Sequence, residues 1–172
     1  MEIKLDFDYD EEVVDLYHQC INFEFTTEFV NNPRTLNREQ VKNRLYEINK
    51  SKQKNGFELH GILKVYVDGV LAAISFPRQI LPAEYDKFSL KAINEYHRLS
   101  GIFVHPDFRG QGLVVKVIKW FIEKYKFILW TAHTTNYASI KAAQKAGLNE
   151  IKERDVVNDQ GEVVFTTKVF SN

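Results

Sequence analysis

The sequence predicts one mixed α+β domain, on three observations. Short β-rich runs and amphipathic helical stretches alternate along the whole chain. No linker, low-complexity tract or internal repeat divides them, so residues 1–172 read as a single domain. With 172 residues and 44% hydrophobic content, the chain can bury a core without disulfides or metals.

The elements follow in order. Ile3, Leu5 and Phe7 alternate with charged residues, the period of a half-buried strand. Asp10 can cap a helix whose apolar face is Val13, Val14, Leu16, Tyr17 and Cys20. A connector rich in phenylalanine (Phe23, Phe25, Phe29) ends at the chain break Asn32-Pro33, and Asn37 can cap a second helix bearing Val41, Leu45 and Ile48. Lys50 to Asn55 reads as a polar loop ending at Gly56. Phe57–Val67 and Val70–Phe76 flank Asp68-Gly69, the strongest hairpin signal in the chain. Pro77 to Tyr96, with a short helix over Tyr85–Ile93, is long for a hairpin connection and reads as a lid or wall of a binding site.

The second half is expected to hold a central strand Arg98–Val104, then a helix Gln111–Tyr125 with Val114, Val117, Ile118 and Phe121 on one face. Phe127–Ala132 suits an interior strand, and Asn136–Ala146 a helix closed by Gly147. Ile151–Val157 and Val163–Val169 are strands joined by the turn Asn158–Gly161.

Charge excludes some functions. Twenty-three basic residues balance twenty-three acidic ones, which argues against a dedicated binder of nucleic acid or membrane. The seven acids among residues 1–15 read as a solvated face favouring a helix start. Cys20 is the only cysteine, so there is neither a disulfide framework nor a zinc spacing, and no metal is expected; on its apolar stripe it reads as a packed thiol. No signal peptide precedes the first strand and no apolar run has the length of a membrane span, so a cytoplasmic protein is expected.

One stretch carries chemistry. Ile102–Val104 is stopped by Pro106, and Gly110 and Gly112 lead into the next helix. A helix start leaves backbone N–H groups unpaired and carries partial positive charge, glycines let an anion approach, and Arg109 adds a cation. These residues alone leave a phosphate seat and an ordinary tight turn both open.

The order of residues goes further. Val104-x-Pro106-x-x-Arg109-Gly110-x-Gly112 resembles the acetyl-CoA-binding motif of the GCN5-related N-acetyltransferase (GNAT) superfamily, Gln/Arg-x-x-Gly-x-Gly/Ala, with Arg109, Gly112 and Val114 on its named positions. Asn136-Tyr137-Ala138-Ser139-Ile140, leading to Lys145-Ala146-Gly147-Leu148, is similar to that family's second signature. The resemblance implies the GNAT fold, a mixed seven-stranded sheet splayed between strands 4 and 5 with about four helices. It also implies acetyl-CoA as cosubstrate and coenzyme A as product. The pantetheine arm would pair with the main chain of Ile102, Phe103 and Val104, and the pyrophosphate would sit on the amides of Arg109, Gly110, Gln111, Gly112, Leu113 and Val114. Asn136 would face the cofactor, with Ser139 one turn inside the helix.

The implied reaction is direct attack of a primary amine on the thioester in a ternary complex, with the carbonyl held by a main-chain N–H near Val104. His97 and His133 are candidate bases and Glu95 a weaker one; the histidines read equally as structural or surface residues. His105 reads as a turn residue. Two departures from the family stand out. Ala143 takes the place of a tyrosine that protonates the leaving thiolate, and Val114 takes the place of Gly or Ala, reading as a core residue. The acceptor is a small-molecule or peptide amine; the phenylalanine connector beside the acidic start of the first helix suggests a cationic one with an apolar portion. A homodimer stays open. The alternative reading is a weak or inactive GNAT-fold domain acting as a coenzyme A sensor or interaction protein.

Overall fold

The computed structural model describes residues 1–7, 9–24, 36–54, 61–92, 94–99 and 101–172, with the backbone alone at 22–24 and 48–54. Phe25, Phe29, the Asn32-Pro33 break, Gly56, the start of the strand expected from Phe57, Ile93, and the side chains of Phe23 and Ile48 lie outside the described residues. In chain order the elements are β1 (Glu2–Asp6), α1 (Glu11–Glu24), α2 (Arg38–Lys54), β2 (Ile62–Val67), β3 (Val70–Ser75), β4 (Arg78–Gln79), α3 (Tyr85–Phe88), β5 (Tyr96–Arg98), β6 (Phe103–Val104), α4 (Leu113–Tyr125), β7 (Phe127–His133), α5 (Tyr137–Lys145), β8 (Asn149–Val157) and β9 (Val163–Ser171). Single 3₁₀ turns cover Pro82–Glu84 and Pro106–Phe108. The mixed α+β class holds, with nine strands in two sheets among the described residues where seven in one were expected.

The chain forms two units, Met1–Arg78 with Gly101–Gln111 and Gln79–Ser100 with Gly112–Asn172. The first holds an antiparallel sheet ordered β1-β2-β3-β6. Asp68 and Gly69 take φ of 51° and 80°, the positive values a two-residue hairpin turn requires. Asp10 Oδ1 accepts the Val13 N–H at 3.0 Å and starts α1. Asn37 and Gln40 cap α2 reciprocally, each side chain taking the other's N–H. The expected loop from Lys50 is instead the last turn of α2, because polarity alone does not stop a helix and no Gly or Pro intervenes before Gly56. Val13, Tyr17, Cys20, Val41 and Leu45 pack against Ile62, Ile74 and Phe103.

The central strand expected over Arg98–Val104 is two strands. Tyr96–Arg98 runs parallel to β7, whereas Phe103–Val104 runs antiparallel to β3. Between them Gly101 has φ of 56°, a conformation no strand can continue through.

The second unit holds a sheet ordered β4-β5-β7-β9-β8. Ile80, Tyr85 and Phe88 are buried against Tyr96, Leu129 and Val169, so the segment read as a lid or a wall is anchored in the core of this unit, and its helix is the single turn Tyr85–Phe88. In α4 the buried residues are Leu113, Val117, Ile118 and Phe121. Val114, expected in that face, is half-buried: Leu113, one turn before Val117, takes the core position. Asn136 caps α5 by accepting the Ser139 N–H at 3.0 Å.

Candidate active site

The turn after β6 is built by local bonds. Pro106 opens a 3₁₀ turn capped by His105, whose Nδ1 accepts the Asp107 N–H at 3.3 Å, so His105 is a turn residue as expected. Gln111 Nε2 donates to Asp107 O at 2.8 Å. Gly110 and Gly112 both take φ of 73°, and a Cβ on either would meet nothing within 4 Å. The first bond of α4 is Lys116 N–H to Gly112 O, and α4 has no side-chain cap. The N–H groups of Gly110 to Val115 therefore find no acceptor among the described residues. Six consecutive donors at a helix start, with open space over the two glycines, suit a pyrophosphate.

Arg109 is held from behind. Its Nε donates to the Val104 carbonyl oxygen at 3.1 Å, and the Cys20 thiol donates to the same oxygen at 3.4 Å. Cys20 is fully buried, a packed thiol. The register of β6 sorts its main-chain groups. His105 N–H bonds Ala72 O, so by antiparallel alternation Phe103 bonds Ile74 while Ile102 and Val104 turn their groups to the sheet's outer edge. Of the three residues expected along a pantetheine arm, Phe103 is committed to β3. The Val104 N–H points outward, as holding a carbonyl requires.

The two candidate histidines are not brought together. His97 pairs in register with Ile128, five residues before His133 on β7, which puts the two on opposite faces with their Cα positions about 17 Å apart. His97 is buried, its ring 4.4 Å from that of Tyr125 and its Nε2 3.7 Å from Glu95 Oε1. Glu95 is exposed and accepts from Gln79 Nε2. His133 is half-buried and stacks on Phe165 at 5.3 Å. Its Nδ1 takes the Thr135 N–H at 3.2 Å and lies 2.8 Å from Thr135 Oγ1. A main-chain N–H only donates, so Nδ1 is the acceptor and the neutral ring carries its proton on Nε2. Thr135 escaped the sequence reading; a hydroxyl two residues after a strand-end histidine was its one signal.

Asn136 caps α5 through its Oδ1, and Ser139 Oγ accepts from Trp130 Nε1 at 3.2 Å. Ala143 is fully buried, and Tyr137 is 70% exposed. Among the described residues no group of three His, Cys, Asp or Glu could hold a metal, and no helix is long and apolar enough to cross a membrane.

Comparison with known proteins bears on the same segment. No curated protein gives a significant sequence match. Among solved structures, a ribosomal-protein-alanine N-acetyltransferase from Brucella melitensis is 15% identical with a TM-score of 0.66, covering 100% of this chain and 99% of its own. The microcin C7 self-immunity acetyltransferase MccE, solved with acetyl-CoA and AMP, is 16% identical with a TM-score of 0.68, covering 99% and 92%. The acetyltransferase yncA of Salmonella typhimurium, solved with acetyl-CoA, is 17% identical with a TM-score of 0.62, covering 99% and 92%. Residues 88–148, which hold both glycine loop and second signature, match the model of the acetyltransferase (GNAT) family, and the chain as a whole has the fold of the GNAT acetyltransferases.

Proposed function

We propose that this chain is an acetyl-CoA-dependent N-acetyltransferase that moves an acetyl group directly to a primary amine. The reading is carried by the run of six amides from Gly110 to Val115 that find no acceptor among the described residues, opened by two glycines of positive φ. Those amides hold the pyrophosphate, and the outward main-chain groups of Ile102 hold the pantetheine arm, the Val104 carbonyl being taken by Arg109 and Cys20. Bound acetyl-CoA supplies a thioester: the amine nitrogen bonds its carbonyl carbon, the carbon–sulfur bond breaks, coenzyme A leaves as the thiolate, and the nitrogen sheds its second proton to solvent to become the amide.

Three tasks fall to this chain. The Val104 N–H donates to the carbonyl oxygen as negative charge gathers there. The acceptor must be a free amine to attack, and Thr135 Oγ1 takes the ammonium proton while passing its own to His133 Nδ1. No side chain at Ala143 protonates the sulfur, and none is required, since a thiol of pKa about 8.5 leaves readily as its anion. The whole of 1–172 serves this one activity, in the cytoplasm, on a small-molecule or peptide amine.

Calorimetric titration with acetyl-CoA, followed by release of free thiol against a panel of amines, tests the reading. Binding together with thiol release on at least one amine is expected. Absence of acetyl-CoA binding overturns it, and binding without turnover on any amine favours the coenzyme A sensor.

A further inference from the structure

The sheet of the second unit is sorted by charge. Register puts Arg98, Lys152 and Arg154 on the face that packs α3, together with Thr131, His133 and Thr167. Glu150, Glu153 and Asp155 lie on the other face, where Lys168 binds the two glutamates and Thr166 binds the aspartate. The α3 face of these strands thus carries cations and no acid among the described residues.

On that face two guanidinium groups meet one ring. Arg98 Cζ lies 5.7 Å and Arg154 Cζ 5.8 Å from the centre of Phe88, which is 1% exposed. The two like charges are therefore separated by no more than the sum of those distances. Lys152 is tied down by Lys87 O and Ser89 Oγ, and Arg98 Nη2 donates to Thr131 Oγ1. Arg154 is half-buried, and ring contact is the one interaction its guanidinium makes among the described residues. A partly desolvated guanidinium with its donors uncommitted, on a strand face that carries other cations and no acid among the described residues, is a seat for a planar or tetrahedral oxyanion.

The seat lies in line with a candidate catalytic group. His133 pairs with Thr167, and Thr167 with Arg154, so the three form one cross-strand row with His133 and Arg154 two strand spacings apart, roughly 10 Å. Both side chains rise from the same face, and a short bifunctional molecule can reach both.

We propose that Arg154 receives an anionic oxygen group, carboxylate or phosphate, carried by the amine acceptor. The acceptor is then an amino acid or a phosphorylated amine, rather than the cationic amine suggested by the acidic start of α1. This inference rests on the acetyl-transfer reading above and adds the acceptor class to it.

The test uses the full chain at saturating acetyl-CoA and amines in matched pairs. Amino acids are set against their decarboxylated amines, and phosphoethanolamine and glucosamine 6-phosphate against the unphosphorylated forms. In at least one pair the anionic member has a kcat/KM about tenfold or more above its partner, the size of one charge-assisted hydrogen bond, and the type of pair distinguishes carboxylate from phosphate. Arg154→Gln collapses that ratio, mainly through KM, while Arg154→Lys keeps an intermediate ratio. A ratio between two acceptors in one preparation is insensitive to the fraction folded. The inference is overturned if no anionic member is preferred, if Arg154→Gln leaves the ratio standing, or if acetyl-CoA binds and no amine is acetylated. It is equally overturned if Arg154→Gln weakens acetyl-CoA binding tenfold, since the anion is then the coenzyme's own. Failure of the wild-type chain to bind acetyl-CoA removes the acetyl-transfer reading first, and this one with it.

Discussion

Arg109 Nε donates to the carbonyl oxygen of Val104 at 3.1 Å, folding the glycine turn back on the last residue of β6. The bond fixes the turn that leads into α4 without using any of the amides that follow. Replacing Arg109 by Ala frees the turn and leaves that oxygen with the Cys20 thiol alone. A stability loss of about 1–2 kcal/mol in urea is expected from the lost charge-assisted hydrogen bond, with a loss near tenfold in acetyl-CoA affinity by calorimetry. Equal acetyl-CoA affinity in Arg109→Ala and wild type refutes a seat at this turn that depends on its shape.

Gly112 separates conformation from contact. At φ of 73° an alanine costs about 1–2 kcal/mol, yet its Cβ meets no protein atom, so Gly112→Ala folds. The methyl group stands where an anion must approach. Acetyl-CoA affinity of the folded variant is expected to fall more than tenfold, and calorimetry beside urea melts reads binding and stability separately.

Val114 is half-buried and carries little of the core, so Val114→Ala is expected to cost about 1 kcal/mol or less and to bind acetyl-CoA at least as tightly as wild type. A tenfold weakening contradicts the assignment of the main chain, rather than the side chain, as the binding group here.

Restoring the tyrosine of the related enzymes is expected to fail. Ala143 is fully buried in α5, where a tyrosine overfills the packing by far more than one methylene. Ala143→Tyr loses about 3 kcal/mol or more in thermal or urea melts and gains no thiol-release rate.

Lys64 predicts an alkaline limb. Its side chain is 2% exposed and bonds Asp6 Oδ2 at 2.9 Å and Asp10 Oδ2 at 2.6 Å. Burial pulls the ammonium's pKa down, but the two carboxylates raise it by more, so the folded pKa lies above the ordinary lysine value. A raised folded pKa stabilises below the unfolded value of about 10.4 and is lost as pH climbs through the folded one. Burial raises the Tyr17 phenol in the same sense. Urea stability is expected to be flat from about pH 7 to 9 and to fall above about 10.5, less steeply in Lys64→Met.

Local chemistry made most of the fold legible. Asp10, Asn37, Asp68-Gly69 and Asn136 each satisfy or bend the backbone at their own position, and each acts in the structure as its residue type requires. What escaped depends on distant partners. The stretch from Arg98 to Val104 reads as one strand, and only the ladders to β7 and β3 assign its two ends to different sheets. Val114 and Leu113 are equally apolar, and the packing of α4 alone decides between them. Of the site, the glycines and Arg109 were visible through spacing. The approach of Arg154 to the Phe88 ring that Arg98 also contacts joins residues 66 positions apart and has no local signal.

The central claim is that the amides from Gly110 to Val115 seat a pyrophosphate, and the direct measurement is the ¹H–¹⁵N amide spectrum of the labelled chain during titration with acetyl-CoA. The account predicts that Gly110, Gly112 and the first amides of α4 move together, downfield and more than other main-chain N–H groups, as a hydrogen bond to an anion demands. A saturating titration that shifts other residues and leaves these six unmoved contradicts it.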